Sequence, residues 1–187
     1  MADLFDFGDF PILETPRLIL RRIVPEDVEA IFAIRGDYEV TRLNIGPAYP
    51  DVGYAVNLIR AMEDSYAQKN EIRWGITLRD EDVVIGMVGY NYWVRPDGRA
   101  SVGYDLLRDA WGNGIMPEAL LAIIDFGWDC MDLNRIEADC SGENYGSIRV
   151  LEKVGFTLEG RQREQFYDEE GYHDLLLWGL LRRDCRP

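Results

Sequence analysis

Trp111-Gly112-Asn113-Gly114-Ile115-Met116-Pro117-Glu118-Ala119-Leu120 is the stretch on which the fold turns. Two glycines one residue apart follow a strand-like run and open straight into an apolar helix. Such a turn aims successive backbone N–H groups the same way, and the helix behind it adds the positive end of its dipole. That combination is a socket for phosphate or pyrophosphate. Three nucleotide readings fail on the neighbouring residues. No Gly-Lys-Ser/Thr follows Gly114, as an NTPase loop would require. Pro117 stands where a dinucleotide fold needs its third glycine, and the preceding strand closes a hairpin, not a parallel unit. The kinase glycine loop lacks its lysine strand and its His-Arg-Asp and Asp-Phe-Gly partners. A short anion nest with no metal-binding lysine or serine suits a ligand that carries its own handle, such as coenzyme A.

Upstream of the nest, Arg17 to Ile23 reads as a strand. Pro25-Glu26-Asp27 starts a helix that Gly36 ends, with Val28, Ile31, Phe32 and Arg35 along one face. A Gly/Pro-rich loop spans Asn44 to Pro50, and Asp51 is placed to cap a helix carrying Val56, Ile59, Met62 and Tyr66. Trp74 to Leu78 and Val83 to Trp93 are strands. Arg95-Pro96-Asp97-Gly98-Arg99 is a hairpin turn, so Ala100 to Leu107 returns antiparallel. Downstream, the helix beginning near Pro117 puts Leu120, Leu121, Ile123, Ile124 and Trp128 on a broad apolar face. Arg135 to Cys140 is a strand, Ser147 to Lys153 a short helix ending at Gly155, Phe156 to Leu158 the start of another strand, and His173 to Leu181 a buried one. Hairpins first and strand–helix–strand crossovers later predict an α/β chain with a mixed sheet and helices on both faces.

With 187 residues and 47% apolar content, one domain with a full core is expected, here 10–184. The net charge of −14 argues against non-specific nucleic-acid binding and suits a cationic partner such as an amine, and solubility alone also accounts for it. Cys130, Cys140 and Cys185 form neither a zinc-like pair nor a disulfide framework, so a reducing, cytoplasmic setting is expected. Met1 to Phe7 lacks a basic n-region and is not read as a signal peptide, and no apolar run reaches membrane-span length.

The chain resembles the GNAT superfamily of acetyltransferases, within it the RimJ/RimL type that modifies ribosomal-protein N-termini. The resemblance runs from Glu14 to Arg182 in family order. Glu14-Thr15-Pro16-Arg17-Leu18-Ile19-Leu20-Arg21 looks like the opening strand, and Ile85-Gly86-Met87-Val88-Gly89 like the third. Val102-Gly103-Tyr104-Asp105-Leu106-Leu107 with Trp111-Gly112-Asn113-Gly114 looks like the acetyl-CoA motif. Asn134 to Ala138, Glu143-Asn144, Ser147 to Phe156 and Leu158-Glu159-Gly160 complete the second half, and Tyr172-His173-Asp174 resembles the closing signature. The resemblance implies a mostly antiparallel mixed sheet of about seven strands, splayed between strands 4 and 5. Trp111 and Met116 depart from the superfamily's usual pyrophosphate loop, but the contacts there are backbone N–H groups. Leu151 stands where the superfamily often places a general-acid tyrosine.

By the same resemblance, backbone groups at Leu106 and Leu107 hold the pantetheine arm and polarise the thioester carbonyl. Trp111, Gly112, Asn113, Gly114, Ile115, Met116 and Pro117 cradle the pyrophosphate. Asn144 contacts the pantetheine arm, and as a helix cap it has an equally good structural role. Ser147 faces the sulfur as proton donor, and Glu137 is the matching base, with Asp139 on the same strand face and Glu164 as further candidates. Each carboxylate also suits a plain salt bridge. His173, the lone histidine, suits a structural hydrogen-bonder beside Asp174.

The expected activity is direct transfer of acetyl from acetyl-CoA to a primary amine, without a metal. A protein N-terminus is the expected acceptor. A free α-amine, with a pKa of about 7.7–8.0, needs little help from a base, whereas lysine, near about 10.4, is only roughly 0.04% neutral at pH 7. A polyamine or other small amine is the rival within the class, and a catalytically silent CoA sensor the rival outside it. A homodimer is compatible with either. No nucleic acid or membrane is expected as a partner.

Overall fold

Alternating burial along Leu18-Ile19-Leu20 marks a strand with one face in a core, and the pattern recurs through the chain. In the computed structural model, which describes residues 4–42, 47–168 and 171–185, eight strands form one sheet. They are β1 (Leu13–Glu14), β2 (Leu18–Arg22), β3 (Ile72–Leu78), β4 (Gly86–Val94), β5 (Arg99–Leu106), β6 (Arg135–Ser141), β7 (Thr157–Asp168) and β8 (Gly171–Leu181), in the spatial order β1-β2-β3-β4-β5-β6-β8-β7. Every neighbouring pair is antiparallel except β5 and β6, which run parallel. The sheet thus has one strand more than the expected seven. With the two-residue β1 counted first, the expected parting of strands 4 and 5 falls between β5 and β6.

Among the described residues five helices cover the sheet: α1 (Val28–Arg35), α2 (Tyr38–Thr41), α3 (Val52–Ala67), α4 (Ile115–Asp129) and α5 (Tyr145–Lys153). They lie on opposite faces, as the two apolar clusters show. One joins Leu18, Trp74, Val88 and Val102 of the sheet to Leu120 and Ile123 of α4 and Leu151 of α5. The other joins Ile23 and Met87 to Ile31, Ile34 and Ile59 of α1 and α3. Each fully buried Leu or Ile in these layers stabilises by roughly 1.5–3 kcal/mol. α4 is fixed closely to β4: Tyr90 donates to the Ile123 carbonyl at 2.7 Å. A Cβ at Gly127 would stand 2.1 Å from that phenol oxygen, so only glycine fits there.

The expected Asp51 cap is present, accepting from the Gly53 amide at 2.8 Å. Between Pro25–Asp27, a 3-10 turn, and α3, the short α2 was not anticipated. Positions 44–46 of the expected Asn44–Pro50 loop, and Met1 to Asp3, lie outside the described residues. Phe5 and Phe7 dock on the α4 side of the sheet, the Phe5 amide bonding to the Cys130 carbonyl at 2.9 Å. The last two strands run longer than expected, β7 to Asp168 and β8 from Gly171, because each supplies the other's ladder.

Candidate active site

Parallel pairing of β5 and β6 covers only three registers, Arg99↔Arg135, Ala100↔Ile136 and Ser101↔Glu137. Beyond them β5 follows β4 to Leu106, while β6 follows β8 to Ser141. A bulge in β4 between Tyr90 and Tyr92 lies opposite the point of departure, and a bulge adds local twist. The strands therefore part directly after Ser101, earlier than the expected Leu106–Leu107.

Peptide groups alternate along a strand. The Leu107 amide bonds to the Ile85 carbonyl at 2.8 Å, on the β4 side. By alternation, Tyr104 and Leu106 turn their N–H and C=O groups towards the gap. The Leu106 carbonyl there accepts from the Trp111 indole at 2.8 Å. Leu107 does not share this orientation: its carbonyl accepts from the Ala110 amide at 2.9 Å. Of the two leucines expected to meet a ligand, only Leu106 faces the opening, and Tyr104 joins it.

At the end of β5 the chain makes the glycine elbow. Gly112 and Gly114 have φ of 76° and 73°, left-handed values that a side chain would strain. Nothing lies within 4 Å of a Cβ built on Gly112, and no side chain caps α4 at Gly114. The amides of Ile115 and Met116 thus open α4 without a capping side chain, and Pro117, which has no N–H, completes its first turn. Behind the elbow, Arg17 donates to the Asn113 carbonyl at 2.9 Å and to Glu118 at 2.6 Å. Thr15 and the Arg17 amide donate to the same carboxylate at 2.6 and 3.0 Å. Burial would raise the Glu118 pKa, but these donors hold it below its ordinary value. No local pattern marks Arg17, whose partners lie 96 and 101 residues along the chain.

A cavity of about 290 Å³ fills the gap between the strands. Its walls come from both faces of the sheet. Tyr104, Cys140, Asn144 and Ser147 line it on the α5 side, and Asp105, Asp139 and Arg35 on the α1 side. Asn144 caps α5, accepting from the Ser147 amide at 3.0 Å. The Ser147 hydroxyl is 2.6 Å from the Tyr104 phenol. Burial drives the Tyr104 pKa well above its ordinary value, so the phenol stays protonated. Burial likewise pushes the Cys140 thiol up. Across the opening, Arg35 pairs with Asp105 at 3.1 Å.

The carboxylates separate clearly. Glu137 lies outside the cavity wall and accepts from Tyr92 at 2.6 Å, Arg135 at 2.8 Å and Arg99 at 3.2 Å. Burial would raise its pKa, but these donors bring it below the ordinary value. Asp139, two residues on and past the parting, lines the cavity. Asp139 is exposed, and the cavity wall beside it withdraws enough water to push its pKa upward. Glu164 is exposed on β7, its amide donating to Asp174 at 2.8 Å, and does not reach the cavity. His173 is buried outside the cavity wall, between Asp168 at 2.8 Å and Glu143 at 3.2 Å, and stacks on Phe166, which does line it. Its partners are these two carboxylates, not the neighbouring Asp174.

Residues 17–157 match the acetyltransferase (GNAT) domain family. The chain belongs to the GNAT acetyltransferases. It is 35% identical over 173 residues to the uncharacterized N-acetyltransferase YoaA of Bacillus subtilis, covering 92% of this chain and 98% of that one. It is 31% identical over 101 residues to the ribosomal-protein-serine acetyltransferase of Escherichia coli, covering 54% and 56%. Its fold is that of the Salmonella typhimurium acetyltransferase that modifies the N-terminal serine of ribosomal protein L7/L12, with a TM-score of 0.81 at 20% identity over 91% of this chain and 99% of that one. GNAT enzymes draw their acetyl group from acetyl-CoA, and this GNAT chain is an acetyl-CoA-dependent N-acetyltransferase. Its uncapped elbow and parted strands fit an elongated diphosphate ligand. Among the described residues no group of His, Cys, Asp and Glu is arranged to hold a metal ion, and no helix is long and apolar enough to cross a membrane.

Proposed function

We propose that this GNAT enzyme, acting through residues 10–184 in the cytoplasm, acetylates the free α-amino group of a protein N-terminus. The observation that carries the reading is the cavity that crosses the sheet, with a hydroxyl pair on one face and a raised-pKa carboxylate on the other. The ribosomal-protein-serine acetyltransferase among its relatives supports the acceptor class.

The amides of Gly112, Asn113, Gly114, Ile115 and Met116 would grip the diphosphate, with Trp111 closing over the end of β5 and Pro117 shaping the first turn. Asn144, its Oδ1 engaged in the cap, keeps its NH2 for the pantetheine arm. Bound acetyl-CoA supplies an activated thioester. The gap-facing amides of Tyr104 and Leu106 are donors for a carbonyl oxygen gaining charge, the kind of fixed dipole that most often dominates catalysis. Asp139 takes the proton of the incoming amine, and Ser147 donates a hydrogen bond to the departing sulfur. Asp139 replaces Glu137 as the base because it lies past the parting and is free of arginine partners. A carboxylate is a weak base for a lysine and sufficient for an α-amine, which is partly neutral near pH 7–8.

Thiol release from acetyl-CoA tests the reading with three acceptors: a peptide with a free N-terminus and no lysine, an N-blocked peptide with one lysine, and spermidine. Turnover on the first alone is expected. Turnover confined to spermidine or the lysine peptide overturns the acceptor assignment. Tight binding without turnover on any amine overturns the catalytic one.

A further inference from the structure

Two hydroxyls that meet at 2.6 Å share one hydrogen between them, and the second hydrogen goes elsewhere. A phenol is the stronger acid of this pair and its oxygen the poorer acceptor, so the favoured arrangement has Tyr104 donating to Ser147. The Ser147 hydrogen then leaves that axis, where the neighbouring Cys140 sulfur shares it until a ligand sulfur enters the cavity. Its backbone is pinned by the Asn144 cap, and α5 turns Leu151 into the core, 0% exposed. Ser147 is therefore held at two points, on a wall of the cavity that Tyr104 also lines.

We propose that Tyr104 is a positioning residue for the transfer: its phenol occupies the acceptor side of Ser147 and so aims the serine hydrogen at the leaving sulfur. This rests on the reading of Ser147 given above. In the transfer, the amine nitrogen forms its bond to the acetyl carbon and its proton passes to Asp139. The carbon–sulfur bond breaks and its electron pair stays on sulfur. Ser147 stabilises that developing charge by a hydrogen bond without surrendering its proton, and Tyr104 remains protonated throughout. The arrangement also strengthens the bond to sulfur, because a hydroxyl that accepts one hydrogen bond donates a better one. Nothing local in the sequence signals this pairing, since β5 and α5 are joined only through α4 and β6.

A double-mutant cycle on the full chain tests it, using Tyr104→Phe, Ser147→Ala and both together, with acetyl-CoA and the free-N-terminus peptide. Tyr104→Phe is expected to lower kcat by about 10- to 100-fold, the range for one lost hydrogen bond near developing charge, with KM for acetyl-CoA within about twofold. The double variant is expected to match Ser147→Ala, because Tyr104 acts only through Ser147. Losses that multiply in the double variant, or a Tyr104→Phe enzyme as fast as the wild type, overturn the inference while leaving the N-terminal activity standing. A wild-type enzyme inactive on the peptide overturns the functional reading instead. Should Tyr104→Phe fail to fold by circular dichroism, 3-fluorotyrosine at 104 keeps the hydroxyl and makes it more acidic. As a stronger donor to Ser147 it is then expected to change kcat in the wild-type background and to leave the Ser147→Ala background unchanged, and equal effects in both backgrounds overturn the inference.

Discussion

Arg17, at the threshold of β2, holds Glu118, in the opening turn of α4, at 2.6 Å through its Nε while its Nη1 takes the Asn113 carbonyl. The pair binds the back of the glycine elbow. Pinning the Asn113 carbonyl to the rear leaves the Gly114 amide, which points oppositely in a trans peptide, on the front. The same contact neutralises a carboxylate that would otherwise repel an anion at the positive end of α4.

Arg17→Ala should therefore raise KM for acetyl-CoA about 2- to 5-fold, a cost of the size usual for a charge near a helix terminus. Adding Glu118→Gln should recover most of that loss. Melting temperature should move little, because the Arg17 side chain is 49% exposed and such pairs contribute little to stability. Initial-rate kinetics and thermal melts on the three proteins check this. A double variant as weak as Arg17→Ala would mean that the arginine touches the ligand itself.

Gly114→Asp forces a side chain into a φ of 73° and builds its Cβ 3.5 Å from the Arg17 guanidinium, so it distorts the elbow and disturbs the contact that orients it. Calorimetric binding of acetyl-CoA should vanish. Gly112→Ala should cost only roughly 1–2 kcal/mol of backbone strain, since nothing lies within 4 Å of its Cβ. An unchanged affinity for Gly114→Asp removes the elbow as the diphosphate site.

The two carboxylates of β6 should diverge in kinetics. Asp139→Asn should lower kcat at least about 100-fold, the lower range for a lost general base, and Glu137→Gln less than about threefold, the effect of a surface ion-pair change. A base works ionised, so the rate should rise with pH through the Asp139 pKa. Partial desolvation has moved that pKa up, so the acid limb should sit above the ordinary aspartate value. Rate profiles from acid to neutral pH, on wild type and both variants, decide between them.

His173 gives stability a pH dependence of definite sign. Its bond to Asp168 raises its folded pKa above the unfolded value, despite the opposing effect of burial. Its contribution is then complete below about pH 6.5, the unfolded value, and is lost as pH climbs through the higher folded one. Melting temperature should fall more steeply above neutrality in the wild type than in His173→Asn. Parallel curves for the two would show that the histidine contributes packing alone.

What could be read from residues in order was whatever is decided within a turn or two. The left-handed glycines of the elbow at Gly112–Gly114, the Asp51 cap and the Asn144 cap of α5 are all local, and each is present in the structure. Which of Glu137 and Asp139 lines the cavity was not local. It depends on how many registers of β5 and β6 stay paired, which the β4 bulge and the β8 ladder set together. The orientation of Leu107 follows from Ile85, twenty-two residues away, and Arg17 finds its partners only after most of the sheet has formed. Leu151, by contrast, behaved as its type suggests and went to the core.

The parted strands also dictate traffic. Because the cavity takes wall residues from both faces of the sheet, the proposed function gives thioester and amine separate doorways, and neither has to vacate before its counterpart arrives. On that proposal both are resident together, reciprocal plots at several fixed donor concentrations are expected to intersect, and a bulky polypeptide would present its first residue without displacing the nucleotide tail.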